Sequence, residues 1–204
     1  MLGGITPAAA VIMVLTIIVS LVGLKSPQVI DKTVLRPYYV TRRGEWERLI
    51  TSGFVHGSGG HLLFNMISFF FFAFPLERVI GSARFIILYF VGLVLSDLGT
   101  WYKHRNNPEY ASLGASGAVL AVMFAYIVYF PNSSLFLFFV PIPIPAPLFA
   151  VGYLAYSWYA SRQNVGRINH DAHIGGAITG LLFVAVFDRQ AYQGLFAAID
   201  RMIS

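Results

Sequence analysis

Six long apolar runs constrain the fold of this 204-residue chain more than any other feature of its sequence. A membrane core about 30 Å thick is crossed by about 20 residues of α-helix, and each run has that length or slightly less. The chain is 57% hydrophobic, 16% aromatic and only 11% charged, unlike the composition of soluble proteins. We therefore predict an all-α membrane protein with one domain over 1–204 and six spans, near 6–24, 61–76, 82–101, 116–130, 146–160 and 172–187.

The composition also excludes several classes of function. The chain has no cysteine, which excludes disulfides and thiolate chemistry. Its net charge of +5 lies in the loops between the spans, where basic residues act as topology signals and contact the lipid bilayer, so no nucleic-acid partner is expected. The first run lacks a basic leader and a clear cleavage site, which predicts a retained span rather than a signal peptide.

Two connections between the spans are unusual. The segment from about 25 to 60 is the only long polar one, and its tyrosines, tryptophan and arginines are typical of a segment lying along the lipid headgroups. In the other, "VPIPIPAP", Pro141, Pro143, Pro145 and Pro147 alternate with apolar residues, so no regular helix can pass through them. The fifth helix is therefore expected to begin near Pro147, after either a rigid connector or a hinge for a mobile helix.

Few polar side chains lie inside the apolar runs, and each is a functional candidate because burying such a group in a membrane costs free energy. These residues are His61, Asn65, Asp97, Ser116 and His173. His61 and Asn65 are four residues apart and so share one helix face. This polar helix face alone is compatible with hydrogen bonds between helices as well as with catalysis.

Small residues line the fourth and sixth runs beside Ser116 and His173. They recur at four-residue spacing, as Gly117, Ala121 and Ala125 in the fourth run and as Ala172, Gly176 and Gly180 in the sixth. Such faces let two helix backbones approach closely, which predicts that Ser116 and His173 come within hydrogen-bonding reach. Spans two, four and six cross the membrane in the same direction, so His61 and Asn65 are expected on the same side at similar depth.

A serine beside a neutral histidine indicates nucleophilic catalysis, because serine is a poor nucleophile until a base removes its proton. Ser116 and His173 supply that pair. The attacked carbonyl becomes an oxyanion, which needs preorganised hydrogen-bond donors. His61, the Asn65 amide and the Ser116 backbone N–H are the candidate donors.

Neither a catalytic triad nor a metal site is predicted. Asp171 lies two residues before His173 and points away on a helix, and Asp97 fits a structural hydrogen bond or an interfacial charge better than a triad role. Four of the five histidines form two pairs, His170 with His173 three residues apart and His56 with His61 five apart, but without an H-E-x-x-H helix or a carboxylate in register. A Ser116–His173 dyad without metal or other cofactor is therefore the simpler prediction.

Three motifs together resemble those of the rhomboid family of intramembrane serine proteases. "GASG" at 114–117 is similar to the family's nucleophile motif, "HGSGGHLLFN" to its second-span pattern, and "AHIGGAITG" at 172–180 to its sixth-span motif. The resemblance covers essentially the whole chain and implies a six-transmembrane-helix bundle of the rhomboid type with a long interfacial first loop. It implies Ser116 as nucleophile, His173 as base, His61 and Asn65 with Ser116 in the oxyanion hole, and structural roles near the site for His56, Gly114, Gly117, Gly176 and Gly180.

The chain departs from the family pattern at two places. In the first loop, "WER" puts Arg48 in register with the family's arginine, while a glutamate takes the tryptophan position and Trp46 is displaced by one residue. One turn after the serine, where many members have a tyrosine against which the histidine packs, this chain has Leu120. Either another aromatic residue such as Phe124 or Tyr126 replaces that ring, or the histidine is less constrained.

The resemblance implies an enzyme that cleaves transmembrane protein substrates near a membrane surface. Substrates would pass between helices, and the fifth helix, which follows the proline run, is the candidate gate. The alternative is a catalytically inactive relative that binds membrane clients, against which the retention of Ser116 and His173 argues. No oligomeric state is indicated.

Two criteria disagree on orientation. The loops after spans one, three and five carry ten lysine and arginine residues, against four on the other side, so the positive-inside rule predicts a cytoplasmic active site. The resemblance implies the opposite, with the active site opening to the outer side of the cell's inner membrane. We follow the resemblance, because six of the ten charges belong to the long first loop, where arginines can serve in packing.

Overall fold

The computed structural model describes residues 5–137, 140–163 and 168–204, most of which are helical. The described helices are α1 (Pro7–Lys25), α2 (Pro27–Thr33), α3 (Pro37–Arg43), α4 (Arg48–Thr51), α5 (Gly59–Ile80), α6 (Ser82–His104), α7 (Ser116–Tyr129), α8 (Ala146–Gln163), α9 (His170–Phe187) and α10 (Ala191–Ile203). A 3₁₀ turn, Ser52–Phe54, follows α4, and the strands β1 (Ser134–Leu137) and β2 (Val140–Pro145) form one small sheet. The predicted all-α membrane bundle is confirmed, with this sheet as an addition.

Four of the described helices are long and apolar enough to cross a membrane, namely α1, α5, α6 and α9. Helix α7 is apolar but has only 14 residues, and α8 is not among the four. The six predicted spans lie within four residues of the observed ends of α1, α5, α6, α7, α8 and α9. The count of six spans, in which α7 and α8 complete the set, stays a prediction.

Arg48 fastens the first loop, which folds into α2, α3, α4 and the 3₁₀ turn. The Arg48 Nη1 donates to the carbonyl oxygens of Asp31 and Val34, both at 2.8 Å, and its Nε pairs with the Glu45 carboxylate of the same loop. Arg48 is buried, with 7% of the residue exposed. Trp46, displaced by one residue from the family position, packs on Trp101 of α6 with ring centroids 5.4 Å apart.

The proline run forms one strand of a hairpin. Strand β2 pairs antiparallel with β1, with Ser134 opposite Pro145 and Phe136 opposite Pro143. Proline has no N–H to donate to a neighbouring strand, but each strand of a two-stranded sheet is an edge, where proline is tolerated. Helix α8 then begins at Ala146, one residue before the predicted start.

Helix α7 lies at the centre of the bundle and packs against α5, α6 and α9. Its backbone meets that of α9 at two glycines. A Cβ on Gly176 would overlap the carbonyl oxygen of Gly117, and a Cβ on Gly180 would overlap that of Ala121. The close approach predicted from the small-residue faces is therefore present, and it places the first turns of α7 and α9 side by side.

Glu77 ties the opposite end of the bundle together. Its carboxylate accepts from the backbone N–H groups of Ala8 at 3.0 Å and Ala9 at 2.7 Å, in the first turn of α1, and from the Ser82 hydroxyl at 2.6 Å. A negative charge at a helix N-terminus is favourable because the N–H groups there have no partner within the helix. This contact joins α1, α5 and α6 at the end distant from Ser116.

Candidate active site

Ser116 and His173 face each other across the contact between α7 and α9. Ser116 is the first residue of α7, and His173 lies in the first turn of α9. The Ser116 Oγ and the His173 Nε2 are 2.9 Å apart, which is hydrogen-bonding distance. Both residues are partly exposed to a cavity. The arrangement lets the hydroxyl donate to a neutral imidazole, as activation of a serine requires.

Gly114 brings the chain into position two residues before Ser116. Its φ of 116° lies in a region that residues with side chains rarely adopt. A Cβ there would also lie 2.7 Å from His61 Cε1 and 2.9 Å from His61 Nε2. Both constraints require glycine, so the turn that carries the serine packs directly against the His61 ring.

His61 and Asn65 line the same cavity as Ser116 and His173. The Ser58 hydroxyl caps α5 by accepting from the His61 N–H at 3.1 Å, which defines where this helix begins. The Asn65 Nδ2 donates to the His61 carbonyl oxygen at 3.1 Å. An amide nitrogen carries two hydrogens, so Asn65 keeps one donor for an acceptor in the cavity.

His56 lies behind the cavity and links α1 to the chain before Ser116. The distance from its Nδ1 to the Ser20 Oγ is 2.8 Å, and its Nε2 accepts from the Ala115 N–H at 3.4 Å. Burial, together with the nearby charge of His61, lowers the pKa of His56 to about 3. A neutral ring with an accepting Nε2 is what this pair of contacts needs.

Tyr153 of α8 is a site residue that the sequence did not reveal. Its hydroxyl lies 2.9 Å from the His173 Nδ1, and the two rings are inclined by 28° with centroids 6.3 Å apart. Phe124 and Tyr126 are the two predicted replacements for the family's tyrosine. Phe124 packs against the Tyr153 ring, and Tyr126 stacks on Phe130, so neither ring lies beside His173. No local pattern marks Tyr153, because it lies on a helix whose contact with His173 is tertiary.

Neither aspartate of this region completes a triad with His173. Asp171 pairs with Lys103 at 2.7 Å and also accepts from the Ser161 hydroxyl of α8. Asp97 lines the cavity. Both ring nitrogens of His173 already have partners, which leaves no position for a carboxylate.

Asn169 joins three parts of the site and was also missed. Its Oδ1 accepts from the Ala172 N–H at 3.1 Å, capping α9, and from the Thr100 hydroxyl of α6 at 3.0 Å. Its Nδ2 donates to the Ser112 hydroxyl at 3.1 Å in the loop before α7. The capping role follows from an asparagine that precedes a helix, whereas the other two contacts do not.

The site residues share a cavity of about 1040 Å³ with polar groups that include Lys103, Tyr110 and His170. His170 is buried, and neither of its ring nitrogens has a hydrogen-bond partner in the described part of the chain. Within residues 5–137, 140–163 and 168–204, no three histidine, aspartate or glutamate side chains are grouped so that they hold a metal ion. The chemistry that this geometry supports is that of the serine and the histidine.

Residues 43–190 match a family model described as the Rhomboid domain. YdcA of Bacillus subtilis (strain 168) is 40% identical over 84 residues, 41% of this chain and 41% of the relative. Rhomboid protein 1, mitochondrial, of Saccharomyces cerevisiae is 29% identical over 153 residues, 74% of this chain and 43% of the relative. Rhomboid protease GluP of Bacillus subtilis is 28% identical over 143 residues, 70% of this chain and 26% of the relative. The chain thus spans less than half the length of these three relatives.

Proposed function

Because the chain belongs to the rhomboid family, we propose that it is an intramembrane serine endopeptidase that cleaves transmembrane proteins near a membrane surface. Family membership and the apolar helices make it a multi-pass integral membrane protein. The observation that carries the proposal is the 2.9 Å contact between the Ser116 Oγ and the His173 Nε2. The proposal includes a single six-span domain over residues 1–204. The relative GluP, named a rhomboid protease, supports the same class of reaction.

Ser116 and His173 form the catalytic dyad. The His173 Nε2 takes the proton of Ser116 as the Oγ attacks the scissile carbonyl carbon, which forms the C–O bond of a tetrahedral intermediate. When the C–N bond breaks, the imidazolium returns this proton to the leaving amine and an acyl-enzyme remains. Water then attacks the acyl carbon, gives its proton to His173 and releases Ser116 with the proton restored.

Three donors of the cavity stabilise the oxyanion in this proposal. The Ser116 N–H belongs to the first turn of α7, where helix N–H groups have no partner within the helix. The His61 ring and the second Asn65 hydrogen face the same cavity. Such donors act mainly on the transition state, because the ground-state carbonyl carries less charge than the oxyanion.

Substrates reach the dyad by partial unwinding and by passage beside α8. A helical substrate keeps its peptide carbonyls in its own hydrogen bonds, so small or helix-breaking residues near the cleaved bond are the expected preference. Only four of the 18 residues of α8 are buried, which fits a helix that moves to admit a substrate. The hairpin of β1 and β2 precedes this helix. The Ala146 N–H at the start of α8 donates to the Ser133 carbonyl oxygen at 3.0 Å, which joins the helix to the hairpin.

The proposal is tested with a serine-reactive fluorophosphonate on the purified protein in detergent. Wild type should be labelled and should cleave a model transmembrane substrate, whereas Ser116→Ala and His173→Ala should do neither while remaining folded. Ser161→Ala removes another hydroxyl that lines the cavity and serves as the matched control. Labelling that persists in Ser116→Ala would contradict the assignment. A wild-type protein that binds the substrate but neither cleaves it nor reacts would favour the inactive client-binding alternative.

A further inference from the structure

Tyr153 reaches the catalytic base from α8, a helix with only four of its 18 residues buried. Its ring lies between Phe124 of α7, at 6.1 Å between centroids, and Phe149 of α8, at 5.8 Å. This packing directs the hydroxyl at the His173 Nδ1, 2.9 Å away, on the side of the imidazole opposite Ser116. The contact occupies the position that a carboxylate has in a serine-protease triad.

We propose that Tyr153 is the positioning residue for His173, holding the imidazole in the tautomer that accepts the Ser116 proton. The inference rests on the proposed protease function. For Nε2 to accept from Ser116, the hydrogen of the neutral ring must be on Nδ1, which then donates to the Tyr153 oxygen. When Nε2 takes the serine proton, the charge of the imidazolium strengthens this second hydrogen bond. Tyr153 keeps its own proton throughout.

A phenol differs from a carboxylate because it can donate as well as accept. If Tyr153 donated to Nδ1, it would select the opposite tautomer, which cannot accept from Ser116. Ser157 lies one helical turn further along α8 than Tyr153, so the two residues share one face of the helix. Its buried Oγ has no hydrogen-bond partner among the described residues. Ser157 thus offers an acceptor for the Tyr153 proton, which leaves the phenol oxygen to accept from His173.

The contact also makes the orientation of the base depend on α8. The buried residues of this helix are Ala146 and Pro147 at its start and Ser157 and Ala160 near its end, and Tyr153 lies midway between them. A displacement of α8 away from α9 therefore removes the hydrogen bond from His173. The His173 ring is therefore oriented to accept the Ser116 proton only while α8 packs against α9.

The test compares Tyr153→Phe with Tyr159→Phe, a matched substitution of an exposed tyrosine on the same helix. Phenylalanine keeps the packed ring and removes only the acceptor. A hydrogen bond to a group that becomes charged is lost, so kcat for a model transmembrane substrate should fall about 10- to 100-fold in Tyr153→Phe. KM and the Tm in detergent should stay at wild-type values. Ser157→Ala should lower kcat by a smaller factor, and Tyr159→Phe should leave it unchanged.

Nitrogen NMR of the histidine rings distinguishes a positioning role of Tyr153 from a packing role. It reports the tautomer of His173, which the loss of a packing contact alone would not change. In wild type the His173 signals, identified by their loss in His173→Ala, should show hydrogen on Nδ1, and in Tyr153→Phe both tautomers should be populated. Wild-type kcat and an unchanged tautomer in Tyr153→Phe would overturn the positioning role. A wild-type protein that neither cleaves nor reacts with fluorophosphonate would instead refute the protease function, so the two failures are distinguishable.

Discussion

Gly176 of α9 lies so close to the Gly117 carbonyl oxygen of α7 that no side chain fits between the two backbones. This contact sets the separation of the helices that carry Ser116 and His173, whose reacting atoms are 2.9 Å apart. The geometry of the candidate dyad is therefore a consequence of backbone packing.

Gly176→Ala should separate α7 from α9 and disable the site. The added Cβ overlaps backbone atoms that cannot rotate away, so we expect a loss of about 1–3 kcal/mol in stability and a loss of fluorophosphonate labelling even where the protein is folded. Gly99→Ala on α6 is the matched control, because a Cβ there meets no atom within 4 Å. Labelling of Gly176→Ala at the wild-type rate would contradict the prediction.

Asn65→Ala should lower kcat far more than it changes KM. Loss of one oxyanion donor costs on the order of 10²–10³ in rate, because the contact forms mainly in the transition state. Asn65→Asp keeps the shape of the side chain but replaces the donor with a negative charge, so it should be at least as slow. Asn106→Ala, in the loop after α6, should behave as wild type. An unchanged kcat with a raised KM would mark Asn65 as a substrate-binding residue instead.

Arg48→Ala should destabilise the first loop. The substitution leaves the Asp31 and Val34 carbonyl oxygens without their donor and breaks a partly buried ion pair with Glu45. Such losses cost roughly 2–4 kcal/mol, which corresponds to a fall in Tm on the order of 10 °C. The control is Arg42→Ala, in the same loop, which removes an exposed arginine that lies over the Tyr38 ring. Equal Tm values for the two variants would show that Arg48 does not fasten the loop.

His56 should make the folded protein sensitive to acid. Its pKa is about 3 in the folded state against an ordinary 6.5, so the unfolded chain takes up this proton at higher pH. The neutral His56 therefore makes its full contribution to the free energy of unfolding above pH 6.5. This contribution is lost as the pH falls from 6.5 towards 3, by roughly 2–3 kcal/mol at pH 4.5. We expect His56→Gln to have a lower Tm at pH 7.5 but a smaller decrease in Tm between pH 7.5 and pH 4.5. Parallel decreases in both proteins would exclude His56 as the source.

Orientation is testable with single cysteines, since the chain has none. Ser58 caps α5, so the exposed Asn106 is the better site on the active-site side. In intact bacterial cells an impermeant thiol reagent should modify Asn106→Cys and spare Ser204→Cys. The reverse pattern would favour the cytoplasmic active site that the positive-inside rule predicts. Arg167, one of the ten charges counted for that rule, lies outside the described residues.

Local sequence determined much of this protein, because the signals involved depend on near neighbours along the chain. A long apolar run predicts a helix wherever it occurs, and the start of α8 follows from the missing N–H of Pro147. The small residues of α7 and α9 predict a close approach because glycine and alanine leave the backbone exposed. The pairing of Ser116 with His173 follows from that approach and from the common direction of their helices. Helix α10 was not predicted, since it is amphipathic rather than continuously apolar.

Tertiary structure alone decided the surroundings of that pair. Tyr153 meets the His173 Nδ1 because α8 is rotated so that one tyrosine among several faces α9, and no spacing in the sequence specifies that rotation. Asn169 likewise joins α6 and the loop before α7 through contacts between residues 69 and 57 positions apart. Contacts over such separations depend on how whole helices pack, and the free energy of that packing is spread over the bundle rather than encoded near either residue.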